Sequence, residues 1–213
     1  VYHHKTTRGF EQVLQAMWKR AALLRTRGDD VRAVPVLAEF WKYEKPTPGD
    51  LPISKYLDLE EFVVLSQIHA WKQHPDAALS DLARRFLDRD GFAMIDPPQL
   101  TDPLTGDYRA WETAVHEVIL KSGYATPEAY CLRDQVDGKY RQPYRPEPEP
   151  KNQTAANSIC INVAGSDAPI EISAHLERLG AVTKLPSAQV RYYVPKELRT
   201  QVEKLKRDWP LRS

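Results

Sequence analysis

Phe10, Val13, Leu14, Met17, Trp18, Ala21 and Leu24 recur at three- and four-residue steps. That spacing draws one apolar stripe along a helix, and Glu11, Gln12, Gln15, Lys19 and Arg20 fill the opposite face. The stripe predicts a helix from about Gly9 to Arg27, stopped by Gly28-Asp29-Asp30. A helix of this length cannot bury its stripe alone, so the chain must bring further helices against it.

The following segments supply them. Val34 to Tyr43 reads as a shorter helix, and Pro46, Pro48, Gly49 and Pro52 as an irregular loop. Asp58-Leu59-Glu60-Glu61 has the spacing of a capping box. It would open a helix to about Lys72, with Leu59, Phe62, Leu65, Ile68 and Trp71 inward. Asp76 predicts the cap of another helix to about Asp88, with Leu79, Leu82, Phe86 and Leu87 inward, and Gly91 stops it. Tyr108 to Ser122 is a further amphipathic helix closed by Gly123. Four prolines between Tyr140 and Pro150 mark an extended connector. Beyond it the period changes. Ile159–Val163 and Gln189–Val194 read as strands, with a weaker one near Ile170–Ile172, and Ser173–Leu179 and Pro195–Lys206 read as helices. The expected fold is mainly α: a helical body over residues 1–125, an irregular connector over 126–150, and a small α+β lobe over 151–213.

Composition narrows the function. Thirty basic and twenty-nine acidic residues nearly cancel, so net charge argues for neither a nucleic acid nor a membrane surface. No apolar run approaches a membrane span, and no leader is visible. Two cysteines, Cys131 and Cys160, read as reduced thiols of a cytoplasmic protein. Walker A, G-x-S-x-G, G-x-G-x-x-G, C-x-x-C and H-E-x-x-H are absent. The histidine pair at 3–4 points two ways in either regular structure, and His69, His74, His116 and His175 read as isolated polar residues rather than metal ligands.

Chemistry concentrates at the start. Tyr2-His3-His4-Lys5-Thr6-Thr7-Arg8 runs directly into the first helix. A helix start offers unpaired N–H groups and partial positive charge, and Lys5 and Arg8 add full charges. This is a candidate anion site. A solvated, capped helix start is the plain alternative. Because such a cluster seldom sits at a fraying terminus, and the first residue is Val1, the expectation is a C-terminal part of something longer. Arg20, Arg25, Arg27 and Arg32, with Trp18 and Tyr43 nearby, allow a further alternative, a face for single-stranded nucleic acid; a solvated arginine face is the stronger reading.

Tyr2-His3-His4-Lys5 resembles the Tyr-x-His-Lys segment of the HD-domain nucleotide phosphohydrolases, which include the deoxynucleoside triphosphate triphosphohydrolases. Leu82 to Phe92, with Arg89, and Arg191-Tyr192-Tyr193-Val194-Pro195-Lys196-Glu197 are similar to later segments of that family in order and spacing. The resemblance implies that Tyr2 and His3 face substrate. It implies that His4, Lys5 and Arg89 reach nucleotide phosphates at a subunit interface, with Arg8 beside them. Ala93 stands where the family carries a lysine. It implies a divalent metal (Mg, Mn, Fe or Zn), homo-oligomers and a nucleotide partner. The family's metal ligands precede the Tyr-x-His-Lys segment, and the 213 residues contain no His-Asp dipeptide. The chain alone is therefore expected to be inactive, with an HD-bearing half elsewhere. A non-catalytic oligomerisation or nucleotide-sensing module is the alternative.

Overall fold

A computed structural model of the protein describes residues 4–42, 52–98, 108–136, 159–163, 165, 169–172 and 189–209. The fold is mainly helical. The long helix α1 spans Lys5–Thr26 and is followed by α2 (Pro35–Phe40), α3 (Ile53–Leu57), α4 (Glu61–Trp71) and α5 (Ala77–Leu87). Strand β1 (Ala93–Ile95), helix α6 (Arg109–Lys121) and strand β2 (Leu132–Val136) come next. Strands β3 (Cys160–Ile161), β4 (Ile170–Glu171) and β5 (Gln189–Val194) precede helix α7 (Arg199–Arg207).

The stripe on α1 does what its spacing requires. Val13, Met17, Ala21 and Leu24 are buried, and α1 packs along α5, whose Leu79, Leu82 and Ala83 are buried as well. Asp76 caps α5, accepting from the Leu79 N–H at 2.9 Å. Its carboxylate also receives the Arg20 guanidinium of α1 at 3.0 and 2.5 Å, which pins the two helices in register. Trp18 meets the edge of Trp71, centroids 4.9 Å apart, and Trp41 stacks 6.4 Å from Trp71. These tryptophans hold α1, α4 and the end of α2 together.

Two compact units divide the chain. One comprises 1–99, 107–134 and 191–213; the other, 100–106 and 135–190. This differs from the boundaries read at 125 and 151, because β5 returns to the helical body. It pairs antiparallel with β1 (Ala93 opposite Val194, Ile95 opposite Tyr192), and α7 packs on α6. Tyr192, Tyr193 and Val194 are fully buried there. Such long-range pairing leaves no local trace in sequence. In the other unit, β3 and β4 pair antiparallel, Cys160 opposite Glu171.

Several local readings are corrected. Glu60, not Asp58, precedes α4, and it makes no side-chain cap; Asp58 instead closes α3, a short helix that the proline-rich context concealed. Phe62 is 74% exposed and Leu59 is exposed too, so the inward face of α4 starts later, at Gln67, Ile68 and Trp71. Strands β1 and β2 carry no signal in the local sequence, and residues 127–136 form a 3-10 turn and a strand rather than an irregular connector. His74 is buried: its Nδ1 accepts from the Asp76 N–H and its Nε2 lies 2.9 Å from the Asp30 carbonyl. The segment after Pro195 begins as a 3-10 turn before α7. The helix read at Ser173–Leu179 and the prolines at 140–150 lie outside the described residues.

Candidate functional site

Three helices of the body end in the same hydrogen-bonded closure, and one of them closes without a glycine. At the end of α1, Gly28 (φ +85°) follows the last turn, with the Gly28 N–H bonded to Arg25 and the Asp29 N–H to Leu24. At the end of α6, Gly123 (φ +93°) repeats this, donating to Leu120 while Tyr124 donates to Ile119. This is the Schellman closure, which wants glycine because its left-handed residue carries no Cβ penalty. At the end of α5 the same bonds run from Arg89 to Phe86 and from Asp90 to Arg85, and the left-handed residue is Arg89, φ +56°. An arginine there costs about 1 kcal/mol relative to glycine. Backbone strain of this kind gathers where a side chain has a task.

Arg89 borders a cavity of about 470 Å³. Lys5 borders it from the first turn of α1, and Lys196 and Arg199 from the segment after β5. Continuing the β1–β5 register by two places sets Lys196 beside Gly91, which explains how residues more than a hundred positions apart reach one wall. Lys196 is bonded to Asp90 at 3.1 Å and Arg199 to Glu203 at 2.7 Å. Lys5 and Arg89 have no acidic partner among the described residues, so their charge is available to a ligand. Gly9 and Gly91 lie in the same wall. A Cβ on Gly9 would stand 3.1 Å from Tyr193, and one on Gly91 would stand 3.2 Å from the Phe10 ring. Phe10 and Phe92 supply apolar surface. Among the described residues, no carboxylate, imidazole or thiol lines this cavity. Four cations and a helix start can hold an anion.

The other residues singled out in the sequence fall differently. His4 precedes α1 and accepts from the Thr6 N–H at 3.3 Å, so it caps the helix. Arg8 turns away from the cavity. Its guanidinium forks onto both oxygens of Asp134, which is 1% exposed, and reaches Glu11 at 2.6 Å. Those bonds, above all the one to Asp134, raise the Arg8 pKa against the opposing effect of burial. Gln12 also donates to Asp134, at 3.3 Å. Arg8 thus anchors the start of α1 and so fixes where Lys5 stands. Tyr2 and His3 lie outside the described residues. No local signal distinguishes Lys196 and Arg199 from solvated helix-start cations, and only the pairing of β5 with β1 brings them to this cavity.

Arg20 is committed to Asp76, Arg25 lies over Trp41 and Arg32 donates to the Gln73 carbonyl, so these arginines do not form one free row; Tyr43 lies outside the described residues. Among the described residues no group of three or more His, Cys, Asp and Glu is placed to hold a metal ion, so the divalent metal implied by the resemblance finds no ligand set there. No described helix is long and apolar enough to cross a membrane.

A second network braces the wall carrying Arg89. Arg85 bonds Asp81 at 2.8 Å, Asp90 at 3.2 Å and Glu197 at 2.5 Å, and its guanidinium lies over Phe92. Tyr124 donates to Glu197 as well. Burial opposes ionisation of Glu197, but the bonds from Arg85 and Tyr124 outweigh it and hold the carboxyl at about 2.

No known family profile matches the chain. The chain is 34% identical over 96 residues to the uncharacterized protein YwfO of Bacillus subtilis (strain 168), a match spanning 45% of this chain and 21% of that protein. Its fold is similar to that of a phosphohydrolase from Bacteroides thetaiotaomicron VPI-5482, with a TM-score of 0.61 and 18% identity over 91% of this chain and 45% of the other. The chain therefore spans about a fifth of the curated relative and less than half of the solved structure. At that identity the structural likeness shows a shared fold.

Proposed function

We propose that this chain is the nucleotide-holding part of an HD-type, metal-dependent phosphohydrolase acting on (deoxy)nucleoside triphosphates. The observation that carries the reading is the convergence of Lys5 and Arg89, both without acidic partners among the described residues, with Lys196 and Arg199 on one cavity. A triphosphate brings several negative charges to such a wall. Arg89 offers a planar fork for two phosphate oxygens, and Lys5 a point charge beside the first turn of α1. Phe10 would contact the sugar or base. Tyr2 and His3 would line the substrate pocket, as the resemblance implies, and His4 would reach the same nucleotide only by giving up its capping bond. Arg8 acts by position, through Asp134. The metal and the water it activates would be supplied by an HD-bearing half, or by another subunit in a homo-oligomer.

A second reading has its own support. A cavity whose described lining is dominated by cations, with no carboxylate or imidazole among them, suits a site that senses a nucleotide without turning it over. Calorimetric titration with dATP, combined with an assay of inorganic triphosphate release, tests both. Binding that weakens at least tenfold in Lys5→Ala and Arg89→Gly, with no release by this chain alone and release once the HD-bearing half is present, supports the enzyme reading. Binding with no release in either case favours the sensor. Absence of dATP binding overturns both.

A further inference from the structure

Farther along α1, over Gln12 to Arg27, lies a larger cavity, about 620 Å³, walled by α1, α6 and the 3-10 turn leading into β2. Its volume is typical of sites for small organic ligands. Ala16 on α1 and Ala129 on the 3-10 turn both line it, and neither has a side chain beyond Cβ to fill the space. Leu23, one of the few large apolar side chains left 41% exposed, stands on the same wall, and Leu132 adds to the apolar lining.

The charges around this gap do not cancel. Arg20 is held by Asp76, outside the cavity. Arg133 lies 3.8 Å from Glu112 and over the Tyr108 ring, and Glu112 also accepts from the Tyr192 hydroxyl at 2.6 Å. Glu128 lies near enough to Arg20 to favour its charged form. Lys19 and Arg27, two turns apart along α1, have no acidic partner among the described residues; they share the cavity wall with the Glu128 carboxylate and with His116 from α6. Cys131 lines the gap as a neutral thiol, since burial, helped by the Glu112 charge, pushes it up to about 12.

We infer that this cavity is a second ligand site, separate from the Arg89 cavity, and that it takes a small organic anion with an apolar body. The body lies against Ala16, Ala129, Leu132 and Leu23. The anionic group lies between Lys19 and Arg27. Inorganic anions alone would leave the apolar walls wet, and a neutral hydrocarbon would leave both cations unanswered.

The test uses 2-naphthalenesulfonate as probe, titrated calorimetrically into the protein, with inorganic phosphate as a parallel arm. The expected result is saturable one-to-one binding of the naphthalenesulfonate and little binding of phosphate in competition with it. Lys19→Glu/Arg27→Glu, both exposed positions, weakens the probe at least tenfold, whereas Lys19→Arg stays within about twofold. Ala129→Leu, which fills the gap, also abolishes binding. Lys5→Ala/Arg89→Gly leaves the probe's affinity unchanged. The inference is overturned if no saturable heat appears up to about 1 mM, the limit of weak specific binding. It is equally overturned if the charge reversal leaves affinity intact, or if the loss follows Lys5 and Arg89 instead.

Discussion

Arg89 occupies at the end of α5 the left-handed position that Gly123 occupies at the end of α6, with matching hydrogen bonds around it. Two similar closures, one with glycine and one with arginine, make the molecule its own control. Arg89→Gly removes a Cβ penalty of about 1–2 kcal/mol and returns part of it as freedom of the unfolded chain. The net expectation is a gain of about 0.5–1 kcal/mol, or about 1–4 °C in Tm, with weaker nucleotide binding. Thermal melts and dATP titration of the one variant check both signs. A variant less stable than the parent would show that Arg89 serves the fold and not a ligand.

Arg8 and Asp134 join residues 126 apart in sequence. With Asp134 almost wholly buried, Arg8→Ala leaves a carboxylate without its countercharge and is expected to cost about 3–5 kcal/mol. Replacing both, as Arg8→Met/Asp134→Leu, is expected to recover most of that loss, since the desolvation cost disappears with the charges. Urea unfolding of the two variants measures this. Equal losses in both would mean that the pair contributes through shape rather than charge.

Glu197 makes stability depend on acid. Its folded value, about 2, lies below the ordinary value of about 4.5, so folding is favoured while the group is ionised. That contribution is complete above about 4.5 and disappears as pH falls toward 2. Glu197→Gln should flatten the stability curve across this window and leave its shape above pH 5 unchanged. Tm against pH for both proteins gives the comparison.

Gly9 tests the approach of α1 to β5. Alanine in a helix interior normally gains about 1 kcal/mol over glycine. Here the new methyl would meet the fully buried Tyr193 ring at 3.1 Å. Overpacking of about 1–3 kcal/mol is expected to reverse the sign, so Gly9→Ala should melt below the parent.

The helices were legible where one residue type decides them locally: the α1 stripe, the Asp76 cap, the glycines at 28 and 123. The reading failed where a tertiary partner decides. Phe62 has helical spacing with Ile68 yet stays exposed, because no described element covers that end of α4. Strand β1 is three residues long and exists only because β5 pairs with it. Lys5 and Arg89 were legible as charged residues in recognisable segments, and Arg8 beside them looked equivalent. Asp134, in a stretch that read as connector, sets Arg8 apart. Lys196 and Arg199 entered through the same long-range pairing. Local sequence thus names cations, but the fold decides which of them keep their charge for a ligand.

The central claim is that Lys5 and Arg89 hold nucleotide phosphates. The most direct measurement is the calorimetric affinity of this chain for dATP in the parent and in Lys5→Ala, Arg89→Gly and the double variant, at two salt concentrations. The account predicts at least tenfold weakening in each single variant, more in the double, and a smaller salt dependence as each cation is removed. Affinity unchanged in the double variant, with the protein folded, would contradict it.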